Sequence, residues 1–184
     1  MDPKIIAAIV IVAVALLVAL LVIWRRHRRL VLRQKLGPEY DRLVQEHGFH
    51  RAESVLEARQ QRVNKFSLHS LTADQREQFI SKWHIIQSRF VDDPACAVDE
   101  ADGLLSQLMR ACGYPMTDFE QRAADISVYY PQAVADYRAA HELALLHQHG
   151  QATTEDLRSS MIHYRTLFDE LLATNSEKMK REVA

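Results

Sequence analysis

The sequence predicts an all-α protein, a single N-terminal transmembrane helix followed by an irregular bundle of six or seven helices. Three observations carry that expectation. An uncharged run, Ile5 to Trp24, is followed at once by Arg25, Arg26, Arg28, Arg29, Arg33 and Lys35. Beyond it, apolar residues recur at spacings of three and four, and no segment of strand length alternates apolar with polar residues. The five Gly and five Pro fall mostly between those helical patterns, where they act as punctuation.

A helix rises about 1.5 Å per residue, so the first run would span roughly 30 Å, the thickness of a bilayer's hydrocarbon core. Its Ile, Val, Leu and Ala include no Gly, Pro or polar residue, which reads as a plain anchor with no pathway through it. Trp24 stands where an interfacial aromatic would, and Arg25, Arg26, Arg28 and Arg29 stand at the headgroups. The cation-rich flank stays inside, which places the N-terminus outside and the C-terminal domain in the cytoplasm. A cleaved secretory signal has its charge before the apolar run and a small-residue site after it, the reverse of this order. The same cations attract anionic lipid headgroups, at about 1 kcal/mol each near the surface.

Residues 1–35 are thus the anchor with its basic juxtamembrane segment, 36–173 a helical soluble domain and 174–184 a flexible tail, where apolar periodicity ends. Gly37-Pro38 opens a short helix from Pro38 to about His47, capped by Gly48, and a longer one follows from about His50 to Phe66. Thr72 and Gln75 form a capping box before Phe79, Trp83, Ile86 and Phe90, which share one helical face. Asp93 caps the next helix and Pro94 occupies its first turn. Val98, Ala101, Leu105, Leu108 and Cys112 mark its buried stripe, and Gly113 ends it.

After a loop, Tyr114 to Thr117, Asp118 opens a helix with Phe119, Arg122, Ala123 and Ile126 running toward Tyr130. Pro131 starts another that reaches Gly150, with Val134, Tyr137, His141 and Leu145 along one stripe. A second capping box, Thr153 and Asp156, begins the last helix, whose stripe is Leu157, Met161, Tyr164, Phe168 and Leu171.

Charge is segregated along the chain. Residues 1–35 hold seven of the 23 Lys and Arg and one of the 24 acids, leaving 16 cations against 23 acids beyond them. An acidic domain of this kind argues against nucleic acid as a partner. Cys96 and Cys112, placed on one helix, are on the order of 24 Å apart and cannot pair. No CxxC or Cys/His cluster suggests zinc.

Motifs for chemistry fail on inspection. His141-Glu142 begins like a zinc-protease helix, but Leu145 stands where the second histidine belongs. His147 and His149 suit the negative end of a helix beside Gly150. Asp102-Gly103 resembles part of a calcium loop, yet that frame puts Val98 and Met109 at ligand positions. No phosphate loop, dinucleotide fingerprint or nucleophile elbow is present, and no catalytic, cofactor-binding or metal-ligating residue is assigned. The densest mixture of charge and aromatic groups is Asp118, Glu120, Arg122 and Asp125 with Tyr129 and Tyr130, the candidate partner surface. Asp118 and Arg122 have the spacing of a helical ion pair.

The segments Gly37-Pro38-Glu39-Tyr40-Asp41-Arg42, Phe90-Val91-Asp92-Asp93-Pro94, and Gly113-Tyr114-Pro115 with Asp118 through Asp125 resemble those of a family of uncharacterised bacterial proteins. The resemblance covers roughly Leu36 to Leu172. It implies a bacterial cytoplasmic-membrane protein with an N-terminal apolar segment, and it carries no activity to transfer.

Three functional readings follow. The first is a membrane-tethered helical interaction or scaffold module with a protein partner, since tethering raises local concentration. The second is a membrane-bound hydrolase or metal-dependent enzyme built from His84, His141, His163, Asp118 and Asp125 on separate helices. The third is a self-associating structural protein, a homo-oligomer at the membrane.

Overall fold

A computed structural model describes residue 20 and residues 37–183, with side chains described up to residue 173 apart from that of His50. Residues 37–47 are helical (α1). Six helices follow: α2 (Phe49–Val63), α3 (Ala73–Arg89), α4 (Pro94–Ala111), α5 (Phe119–Ile126), α6 (Ala133–Gln148) and α7 (Thr154–Val183). No strand occurs among the described residues, so the protein is all-α there. Among those residues no helix is long and apolar enough to cross a membrane. The apolar run lies outside the described residues except for Leu20, which is helical and exposed. Trp24, Arg25, Arg26, Arg28 and Arg29 lie outside them too.

Helix starts follow the side-chain chemistry of the sequence. Thr72 Oγ1 accepts from the Gln75 N–H while the Gln75 side chain accepts from the Thr72 N–H, a reciprocal capping box. Asp93 Oδ1 accepts from the Cys96 N–H at 3.1 Å with Pro94 in the first turn. Asp118 Oδ1 does the same for Gln121 at 3.0 Å. At α7 the Asp156 N–H donates to Thr153 Oγ1, while the Thr153 N–H and hydroxyl both donate to Asp156 Oδ2 and hold its carboxyl below its ordinary range.

Gly113 ends α4 with φ near +89°, and a Cβ there would stand 2.4 Å from the Ser67 carbonyl oxygen. Only glycine allows this close crossing, which His69 seals by donating its N–H to the Cys112 carbonyl at 3.2 Å.

The principal core is packed from α3, α4, α6 and α7. Ala97, Val98, Ala101, Leu105 and Leu108 of α4 and Tyr164, Leu167, Phe168 and Leu171 of α7 are buried. Trp83 of α3 stacks on Phe168 at 4.7 Å between ring centroids. Both cysteines are free, Cys112 buried and Cys96 partly so.

Some boundaries and one stripe differ from expectation. α2 ends at Val63, ahead of Phe66, and α6 starts at Ala133, two residues after Pro131. The buried line of α6 is Val134, Tyr137, Ala140 and Ala144, leaving His141 half-buried and Leu145 exposed. Small residues at 140 and 144 let α6 lie close to α7, where Ser160 Oγ donates to the Ala140 carbonyl at 3.1 Å. The chain from 174, set apart above as a tail, continues α7 to Val183, in a stretch rich in the helix formers Glu, Lys, Met and Arg.

Candidate functional site

Two polar constellations interrupt the apolar packing. The first lies where α1 meets α2, α5 and α6, and at its centre is Glu39, a carboxylate only 2% exposed. Arg59 of α2 donates from Nη1 to Glu39 Oε1 at 2.7 Å and to Ser127 Oγ at 3.0 Å. Arg42 and Arg138 bring their Nε atoms to 3.4 and 3.5 Å from Glu39 Oε2. Neither makes a hydrogen bond there, so these are charge contacts alone. Arg138 Nη1 then donates to Glu120 Oε2 at 2.6 Å, and Arg42 Nη1 to Glu46 Oε1 at 2.6 Å. Alongside, Arg62 Nε reaches Asp125 Oδ1 at 3.1 Å while Gln121 Nε2 donates to the same oxygen at 2.9 Å.

This network redistributes the surface expected from sequence. Asp125 is buried beneath Arg62 of α2, and Tyr130 is buried with the apolar core. Arg122 turns inward and donates from Nη1 to Ser106 Oγ at 2.8 Å, while Asp118 spends its carboxylate on the α5 cap, so their anticipated ion pair does not form. Asp118, Glu120 and Tyr129 remain exposed. The six residues therefore do not make one exposed surface. Asp125 and Glu120 instead anchor neighbouring helices.

The second constellation joins α4, α5, α6 and α7. Asp102 Oδ1, Arg122 Nε and the Tyr137 hydroxyl are enclosed with no hydrogen-bond partner among the described residues, and the Tyr164 hydroxyl is enclosed beside the Asp102 carboxylate. Burial pushes both phenols up, and the Asp102 carboxylate pushes them further, so they stay protonated donors at neutral pH. His141, half-buried, stacks on Phe119 at 3.6 Å between centroids. Burial lowers its pKa, Arg122 adds to that, and Asp102 opposes it. The cluster runs from the fully buried tyrosines to the half-buried Asp102, Ser106, Arg122 and His141. It can hold neutral donors against one carboxylate. Enclosed atoms of this kind cost about 1–3 kcal/mol each when unsatisfied.

The five groups named for an enzyme are dispersed. His84 is exposed on α3, His163 Nδ1 meets Asp136 Oδ1 at 2.6 Å, and Asp118 and Asp125 serve the cap and the ion network. Among the described residues no group of three or more His, Cys, Asp and Glu could hold a metal ion.

Sequence reading missed Glu39, Arg59 and Arg138 because their partners lie on other helices, up to 99 positions apart in the chain. A signal existed for Asp102: it stands four residues after Val98 and three before Leu105, beside the buried stripe. Residues 37–42 and 118–125 meet in space, the first supplying Glu39 and Arg42 and the second Glu120, Gln121 and Asp125. In comparisons with known proteins, no family model, curated protein or solved structure matches this chain.

Proposed function

We propose that this chain is a single-pass protein of the bacterial cytoplasmic membrane, N-terminus outside, that holds its helical bundle at the cytoplasmic face as an interaction module for a protein partner. The observation that carries the reading is the uncharged run Ile5 to Trp24 with six cations directly behind it. The tether is short. The helical residues of α1 begin at 37, so at about 3.3–3.6 Å per residue the segment from Trp24 reaches at most roughly 40–50 Å. Within that distance the bundle's encounter with a membrane-bound partner becomes an event at raised local concentration. Anionic headgroups add attraction at the basic segment.

Asp118, Glu120 and Tyr129, at and just beyond α5, are the exposed members of the expected partner surface, and Tyr129 offers an aromatic anchor of the kind that dominates protein interfaces. The test has two parts. Reporters active only in the cytoplasm or only in the periplasm, fused after Ala184, read the orientation, and a periplasmic signal overturns it. A photo-crosslinking amino acid at position 129, irradiated in cells, should yield one discrete protein adduct that is lost with Asp118→Arg. Adducts to lipid alone, or none, would remove the partner from the reading.

A further inference from the structure

Among the described residues the principal apolar cluster runs from Leu71 to Leu172 and includes no residue of α1 or α2. Those helices also bury Tyr40, Leu43, Ala52 and Val63, which are not among that cluster's residues. The side-chain bonds and ion pairs that join the pair to α5 and α6 all involve a charged group: Arg59 to Ser127, Arg62 to Asp125, Glu39 to Arg138, and Arg42 to Glu120. Attraction between enclosed charges roughly offsets the cost of stripping them of water, so such a fastening adds little net docking energy. Losing one partner from it is nonetheless severe, because the other is left enclosed and uncompensated.

The ends of the pair suit movement. Past Val63 the chain is secured to the bundle by the His69 bond to Cys112, the Gly113 crossing at Ser67 and the edge contact of Phe66 with Tyr114. A pivot therefore falls at 64–65, ahead of Phe66, where Lys65 makes a single-turn bond to the Arg62 carbonyl. Between the two helices Gly48 has φ near +75° and open space around its Cα.

We propose that α1 and α2 form an ion-held strap that undocks from α5 and α6 as a unit while the bundle stays folded, with Glu39 as its release point. Undocking uncovers Asp125 and Ser127 of the α5 segment together with Arg138 of α6, a face closed while the strap is down, and frees the exposed Glu120 from Arg42. The tether reading enters only in supplying what pulls: α1 is the first described helix after the basic segment, so force on the anchor would arrive at Glu39.

Hydrogen exchange read by mass spectrometry on the full chain in phospholipid nanodiscs tests the strap. In the wild type, residues 39–63 are expected to exchange through an opening that leaves α4, α6 and α7 protected. Glu39→Gln should speed exchange of 39–63 by on the order of a hundredfold, with α4 and α7 unchanged. Arg62→Gln, on the other side of the contact, should act in the same direction and less. If 39–63 exchange only together with α4 and α7, the strap is an integral part of the fold and the proposal fails. It fails equally if Glu39→Gln leaves 39–63 unchanged, since charge would not then be the fastening. Carbonate washing of native membranes reads the anchor separately: a chain released into the wash sinks the tether and leaves the exchange result standing.

Discussion

At the centre of the bundle the enclosed side chains are Leu105, Leu108, Leu167 and Leu171, whereas where α1 meets α2, α5 and α6 a carboxylate, Glu39, is enclosed along with apolar residues such as Leu43 and Val63. The two regions share helical secondary structure and differ in what holds the helices together. Apolar burial needs no specific partner and gains about 25 cal/mol for each Å² removed from water. Enclosed charge gains little in sum and depends on every partner being in place. One region should thus respond to lost volume and the other to lost charge, and substitutions can separate the two.

The largest effect should come from the bundle. Phe168→Ala removes a ring that is 2% exposed and stacked on Trp83, and should cost about 3–5 kcal/mol in urea unfolding, with α1 and α2 lost in the same transition because they dock on what it unfolds. A cost under about 1 kcal/mol would show that the ring is not part of a close-packed core.

Next, Asp125→Ala strips Arg62 and Gln121 of their shared acceptor and should cost about 1–3 kcal/mol, read as faster proteolysis within α2 while α4 and α7 resist. Cleavage appearing in α4 at the same rate would merge the two regions. Thr72→Ala removes a capping-box hydroxyl from α3 and should lower stability by about 1 kcal/mol, measured by the shift in unfolding midpoint.

A smaller effect depends on pH. The pKa of His141 is lowered in the folded state from an ordinary value near 6.5, so the unfolded chain binds more protons as pH falls. The stability linked to His141 is complete above that ordinary value and is lost as pH drops through 6.5 toward the lowered folded value. His141→Gln should flatten the fall in stability between about pH 7.5 and 5.5, and an unchanged slope would assign that fall to other histidines. At the bottom of the scale, Arg165→Ala breaks an exposed pair with Asp169 and should change stability by no more than about 0.5 kcal/mol, an internal reference for what surface charge contributes.

Local chemistry was read well from the chain. The caps at Thr72, Asp93, Asp118 and Thr153 depend on residues three positions apart, and the stripes of α4 and α7 on spacings of three and four, so both are written within one helix. Where the reading shifted, a neighbouring helix was responsible. The α6 stripe moved from His141 and Leu145 to Ala140 and Ala144 because α7 approaches over the small residues. Asp125, polar enough for a surface, went inside because α2 brings Arg62, and Tyr130 joined the apolar core.

The sequence by itself determined that this is a helical protein, where the capped helices α3, α4, α5 and α7 begin, which face of α4 and of α7 is buried, and that charge is divided between a basic segment behind an apolar run and an acidic remainder. Each of these rests on residues within a few positions of one another, or on counts. Only the tertiary structure decided that Glu39 would be enclosed among three arginines, that Asp102 would face Tyr137 and Tyr164, and that α1 and α2 would stay outside the apolar core. The physical reason is that a buried charge is tolerable only beside its compensating partners, and those partners come from other helices, far along the chain, whose meeting no local pattern records.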